Sequence, residues 1–328
     1  PYSTGIFSIS AVLIKTSFST SNETASAAFD DFRQNRLIVA NRLASQRGID
    51  VTNPVNLDAE GYPLGYGKNS QAVLLPAFLA AYSGSNAADV SLGIFRNFPI
   101  PNWAVKYNGL MRYDFFKKNF KRISLQHNYR ASYTINSFRS NFEYDKNPGG
   151  QDNEGFGNFY NQTIVQNVNL MEQFNPLIRM DFEMKNSFKM LAEMKKDRAL
   201  SMSFDNNLLT EVQGLEYIIG LGYRLKDVVI TSSLADNPQG IIKSDINFRT
   251  DFSYRNNKTI VRYLDYDNNE LAGGQNIWSV KLTADYSFSK NLTAIFYYDH
   301  TFSKAVISTA FPLTNIRSGF TLRYNFGN

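Results

Sequence analysis

The chain has 328 residues, is 43% hydrophobic and 14% aromatic, and holds 26 Phe, 19 Tyr, two Trp and no cysteine. Its formal charge of +5 is dispersed rather than run together, which favours a solvated wall over a nucleic-acid surface, and the missing cysteines exclude disulfide scaffolds and thiolate metal sites. The longest apolar run, 72–82, is too short for a membrane helix of about 20 residues and contains Pro76, so any membrane reading requires strands.

In chain order, residues 5–16 alternate as a strand. Residues 18–100 then break the two-residue period. Phe29, Phe32, Val39, Ala40 and Leu43 fall near helical spacing within 24–47, and Gly48 is a suitable stop. A polar Asn/Pro/Gly stretch follows at 48–67, and a second helix is predicted over 70–82. A helical insertion between two strands is expected to cap, gate or bind. Pro99, Pro101, Asn102 and Trp103 close it, as the edge of a cap or opening or as a simple strand start, because proline cannot donate to a ladder.

Strands are predicted next at 103–109 and 123–135, followed by a Gly/Asn/Asp-rich loop at 138–162. The alternation resumes at 178–185 and ends in an Asn186-Ser187 turn. The stretch 188–208 reads either as one long strand or as a hairpin turning near Lys196-Asp197. The hairpin is preferred because it keeps the up–down order. Residues 215–224 form another strand. From 244 onward the period is clearest: 246–255 with a turn at Asn256-Asn257-Lys258, 278–288 with a turn at 289–291, then 292–299 with Ile295 off-pattern, and finally 316–326. In the last segment Phe320, Leu322, Tyr324 and Phe326 share one face, the terminal aromatic pattern of outer-membrane barrels, where it serves as an assembly signal.

Segments of about 10 to 13 residues match a tilted membrane strand of about 9 to 11 better than a soluble strand of five or six. The expected fold is all-β: part of a transmembrane antiparallel β-barrel, with about twelve strands in this chain. Residues 1–17 supply one strand, 18–100 the helical loop insertion, and 101–328 the remaining wall. Trp278, Tyr286, Phe288 and Tyr298 are candidates for the aromatic girdles. Arg130, Arg179, Arg224, Arg249, Lys281, Asp285 and Arg323 fall on the opposite parity as lumen-lining candidates. Short breaks near 257 and 290 against longer ones at 266–275 and 303–315 predict short periplasmic turns, long outer loops and a periplasmic C-terminus. The opening Pro1-Tyr2-Ser3 carries no initiator Met or signal segment, so the expectation is an exported protein that is either processed or, the preferred reading, begun internally as a C-terminal portion.

No chemistry emerges beside this architecture. His127 and His300 lie on separate strands, no Cys/His set has metal spacing, and no nucleophile elbow or phosphate loop is present. Alternate oxygen ligands at 265–270 could hold calcium, although a solvated loop fits better. Asp181 and Glu183 sit beside Arg179 and Lys185, as a wet wall requires. Four Asn-x-Ser/Thr matches, at 22, 161, 257 and 291, are chance hits in an Asn-rich chain. No catalytic residue, cofactor or metal is expected, and no enzyme activity.

Several stretches carry a resemblance: FDDFRQNRLIVANRL (29–43), GYGKNSQAVLLPAFLAAY (65–82), FPIPNWAVKYNGL (98–110), LQHNYRASYTI (125–135), LTEVQGLEYIIGLGYR (209–224) and TLRYNFGN (321–328). In order, they resemble the C-terminal part of the SprA/Sov family, the outer-membrane translocon of the type IX secretion system of Bacteroidetes. The second and third stretches are the specific ones. The resemblance implies a single-chain barrel of about 36 strands that passes folded cargo proteins bearing a C-terminal sorting domain. It also implies a shuttle barrel protein, a periplasmic plug protein and an inner-membrane motor driven by proton flow as partners, beside outer-membrane lipid. The alternative is the C-terminal barrel of a TonB-dependent nutrient transporter, which needs a plug domain in its lumen. An outer-membrane enzyme or adhesin is the third class.

Overall fold

Side chains that alternate apolar and polar every second residue place grease on one face of a sheet and water on the other, and one antiparallel sheet organises this chain. The computed structural model describes residues 2–152, 157–231, 240–266, 268–289, 291–307 and 310–326. The strands are β1 (Thr4–Ser10), β2 (Trp103–Tyr107), β3 (Phe120–Ser140), β4 (Thr163–Val165), β5 (Asn167–Met184), β6 (Phe188–Ser203), β7 (Leu208–Thr231), β8 (Ile241–Tyr263), β9 (Asn269–Ser287), β10 (Leu292–Ala305) and β11 (Leu313–Tyr324). The helices are α1 (Ala27–Gln46), α2 (Gln71–Ser83), α3 (Asp114–Asn119) and α4 (Phe142–Lys146). The sheet runs β1-β3-β5-β6-β7-β8-β9-β10-β11, with β2 and β4 also paired to β3. It is open: among the described residues no strand joins β11 to β1 or β2.

We call the end holding Met184, Phe188 and Tyr324 the lower rim, and the end holding Ser140, Ser203 and Leu208 the upper rim. β1 pairs with Ser132–Arg139 of β3 and β2 with Leu125–Tyr129. Both run downward on the same edge of β3, so they form one lane cut in two. The cut is stitched by hydrogen bonds. The Ala11 N–H donates to the Ala131 carbonyl (3.0 Å), and the Ala131 N–H donates to the Asn102 side-chain oxygen (2.8 Å). The insertion therefore leaves the sheet after Ser10 and returns at Trp103, wider than the expected 18–100. The strand expected over 5–16 ends at Ser10, and a 3-10 turn covers Ile14–Thr16.

The insertion packs on the upper half of the sheet. Ser26 caps α1 by accepting from the Phe29 N–H (3.4 Å), and Gly48 at φ +78° follows its end. α2 is apolar all round and is buried from Val73 to Tyr82, as a helix sandwiched between two layers must be. Phe29, Phe32 and Val39 of α1 and Leu74, Leu75 and Phe78 of α2 join Tyr129, Tyr133, Leu170, Leu200 and Leu209 of the sheet in one core. Each such side chain contributes about 1.5–3 kcal/mol on burial.

Four expectations are corrected. β8 is one 23-residue strand, so Asn256-Asn257-Lys258 is no turn; these residues pair with β7 and β9 on either side. β6 is one 16-residue strand, so the hairpin near Lys196-Asp197 does not form. Both misreadings have the same cause. Lys196 and Arg198 in β6, and Asn256, Lys258 and Arg262 in β8, put polar side chains on the apolar parity, and a loss of pattern resembles a break. The third correction concerns loops. The expected short break near 257 is absent and the long one at 266–275 narrows to 264–268, whereas 288–291 against 306–312 keeps the expected order, so the length alternation holds from β9 to β11 but not at β8. The fourth is the count: eleven strands in the described residues, laid in nine lanes, against about twelve expected.

Candidate functional site

One face of the sheet is polar. Register across β3 to β11 puts Arg130, Arg179, Arg224, Arg249, Lys281, Asp285 and Arg323 all on that face. A groove of about 690 Å³ is lined by side chains from β3, β5, β6, β7, β8 and β9. Only a concave surface lets six adjacent strands converge on one cavity, so the polar face is the inner curve. Arg179, Arg224, Arg249, Lys281 and Asp285 line the groove, whereas Arg130 and Arg323 lie on the same face outside it.

Charges on this face alternate across the strands. Arg179 lies 3.4 Å from Asp181 and 3.5 Å from Glu193. Lys195 bridges Glu193 (3.8 Å) and Glu216 (3.6 Å), and Arg255 bridges Glu216 (3.6 Å) and Asp197 (3.2 Å). Arg224 pairs with Asp245, and Arg249 with Asp251 at 2.8 Å. The groove lining carries six cationic and five anionic side chains. Exposed pairs of this kind contribute about 0–1 kcal/mol each. Their effect is a hydrated surface near neutrality, with no single charge to trap a ligand.

The other face is apolar over its lower half. Tyr217, Tyr254, Trp278 and Phe302 align in one transverse row, with ring centroids 5.3 Å apart at Tyr254–Trp278 and 5.5 Å at Trp278–Phe302. Below it come Ile219, Phe252 and Val280, then Tyr223, Phe248, Ala284, Phe296 and Phe320. Phe320, Leu322 and Tyr324 of β11 are exposed on this face, and the Phe326 ring lies 4.8 Å from Tyr324 beyond the strand. Of the four girdle candidates, Trp278 stands in the upper row and Tyr286 and Phe288 at the lower margin, their rings 5.2 Å apart. Tyr298 is mid-band, between Leu282 and Ser318, which corrects its expected position.

The apolar parity carries buried charge under the insertion, which sequence reading missed. Arg262 and Glu211 are fully buried and 2.9 Å apart, with the Ser21 hydroxyl donating to Glu211 (2.7 Å). Arg198 lies 3.1 Å from Glu172, which also accepts from Tyr129 (2.8 Å) and Ser17 (2.5 Å). Arg198 donates to the Thr16 carbonyl (3.0 Å). These two pairs rivet residues 13–26 to the sheet. The readable signal was a charged residue at apolar parity, as in Leu170-x-Glu172-x-Phe174 and Ile260-x-Arg262. Burial beside them pushes the Tyr82 phenol far above its ordinary value, with Glu211 adding to the effect.

The remaining candidates are placed as follows. Trp103 stacks on Tyr129 at 4.3 Å, next to Asn102 at the lane junction, while Pro99 and Pro101 are exposed beside it. His127 Nδ1 lies 2.6 Å from the Leu177 carbonyl, and His300 is remote on β10. Asp265 accepts from Asn69 (2.8 Å) and Asn207 (3.2 Å), so it docks the insertion rather than a cation; residue 267 of that loop lies outside the described residues. Among the described residues no group of three His, Asp or Glu side chains is disposed to hold a metal. No protein-family model matches the chain, and no curated protein matches it.

Proposed function

We propose that the chain forms part of the wall of a transmembrane β-barrel, and that this wall belongs to a protein-conducting channel of the outer membrane. The observation that carries the reading is a single sheet with one concave, mixed-charge face and one exposed apolar face bounded by aromatic rows. From Trp278 to Phe288 the strand rises about 34 Å at about 3.4 Å per residue. At a tilt of about 40° this is about 26 Å, the height of a barrel's lipid-facing band. No helix among the described residues is long and apolar enough to cross a membrane, and in this reading the strands form the crossing.

The upper side, which carries the insertion, is read as the outer one, where such barrels hold their longer loops, and the lower rim is then periplasmic. Two unpaired edges imply that more strands complete the wall. A wet wall near neutrality passes cargo without holding it, which suits conduction of folded proteins. The family resemblance supplies the rest of the proposal: cargo with a C-terminal sorting domain, a shuttle barrel protein and a periplasmic plug protein.

The test is export of a folded reporter bearing such a sorting domain from cells depleted of the protein. Export should stop while nutrient uptake continues. Retained export with loss of a TonB-dependent uptake would transfer the reading to the nutrient transporter.

A further inference from the structure

We infer that the lower rim around α3 is a seat for anionic phospholipid headgroups. The inference rests on the membrane reading and names the lipid class that this part of the wall selects. Between β2 and β3 the chain reads NGLMRYDFFKKNFKR over 108–122, five basic residues against one acid. Lys121 and Arg122 turn to Glu183 (3.1 Å) and Asp181 (3.3 Å). Lys117 has only the fully exposed Asp114, 3.8 Å away. Arg112 and Lys118 are exposed and have no ion-pair partner among the described residues.

Aromatic contacts fix where this charge stands. Phe116 lies 5.9 Å from Phe120, and Phe120 lies 5.3 Å from Phe182 on the apolar face. α3 is thereby tied to the bottom margin of the band, not to the concave face. Tyr113 and Phe115 stay exposed beside the lysines, as do Val105 and Tyr107 on the apolar side of β2. Rings that enter the acyl boundary beside cations that stay at headgroup level are the pattern of an interfacial anchor. The charge decides the class: zwitterionic headgroups bring no net countercharge to Arg112, Lys117 and Lys118, whereas anionic ones neutralise them. A basic residue at an anionic surface gives a preference of roughly fivefold.

Two tryptophans make the test direct. One variant, Trp103→Phe, leaves Trp278 as the sole reporter of the apolar band. A second, Trp103→Phe with Trp278→Phe and Phe115→Trp, reports only the rim. Both are reconstituted into vesicles of phosphatidylcholine containing brominated phosphatidylglycerol or brominated phosphatidylcholine at equal mole fraction, and circular dichroism checks that the sheet is kept. We expect Trp278 to be quenched alike by both lipids. The reporter at position 115 should be quenched severalfold more by the anionic lipid. That preference should disappear on adding Arg112→Gln, Lys117→Gln and Lys118→Gln, and persist in millimolar inorganic phosphate. Equal quenching at the rim by both lipids, no quenching there while Trp278 is quenched, or loss of the preference to free phosphate would each overturn the inference. An unquenched Trp278 would instead sink the membrane reading.

Discussion

Arg262 and Glu211 show what a single buried residue decides here. Both are sealed from water, and the carboxylate gathers Arg262, Ser21 and Gln213 at once. Removing one charge strands the other in a low-dielectric interior, which costs about 3–5 kcal/mol, whereas replacing both by apolar groups is often neutral. Glu211→Gln should therefore loosen residues 13–26 and the helices they hold. Protease cleavage within the insertion, compared before and after the change, measures this. Glu211→Leu combined with Arg262→Met should restore resistance. If Glu211→Gln leaves cleavage unchanged, the pair does not hold the insertion down.

At the scale of elements, legibility followed the surroundings of each strand. Where one face meets grease and the other water, parity alone marks the strand, as in 278–288 and 316–326. α1 was legible too, because Gly48 ends it by backbone conformation rather than by contact. The upper halves of β6, β7 and β8 were not, because their apolar-parity positions, Arg198, Glu211 and Arg262, are satisfied by partners up to 241 residues away. A charge at apolar parity signals such a site, but local chemistry does not name its partner. The same logic hid Asn102, whose role is a hydrogen bond across a lane junction created by an insertion. Of the candidate site, the seven charged positions were readable because parity assigns a face, but the curvature that makes that face concave was not. Adjacent residues of β7 test the assignment of faces. Ile219 lies on the apolar side and Ile218 lines the groove. In a bilayer, Ile219→Arg should cost about 2–4 kcal/mol, while Ile218→Arg should change stability little. Urea titration of the reconstituted protein reads both. Equal costs would mean that the two faces do not differ in solvent.

The whole molecule poses a problem of direction. β1 and β2 descend at one edge, and β11 descends at the other. Two edges running the same way cannot pair antiparallel with each other, so antiparallel closure needs an odd number of strands between them. Curvature agrees. Nine lanes at about 4.8 Å make roughly 43 Å of wall, and a barrel of about eight strands is narrow enough for side chains to fill it. Here six strands of an open sheet share one groove, the gentle curvature that the proposed wider wall requires. The chain has no cysteine, which allows the edges to be tagged cleanly. Phe296→Cys with Phe320→Cys joins registered neighbours on β10 and β11 and should bridge on oxidation. Val105→Cys with Leu322→Cys joins the two free edges and should stay unbridged within a monomer, by gel mobility with and without reductant. A bridge there would show the edges meeting as a parallel pair, closing nine lanes on themselves and removing the need for further wall. Without it, any closed form must recruit strands that ascend beside both β11 and the β1–β2 lane, and such strands must carry the same alternation of apolar and polar faces to continue the band.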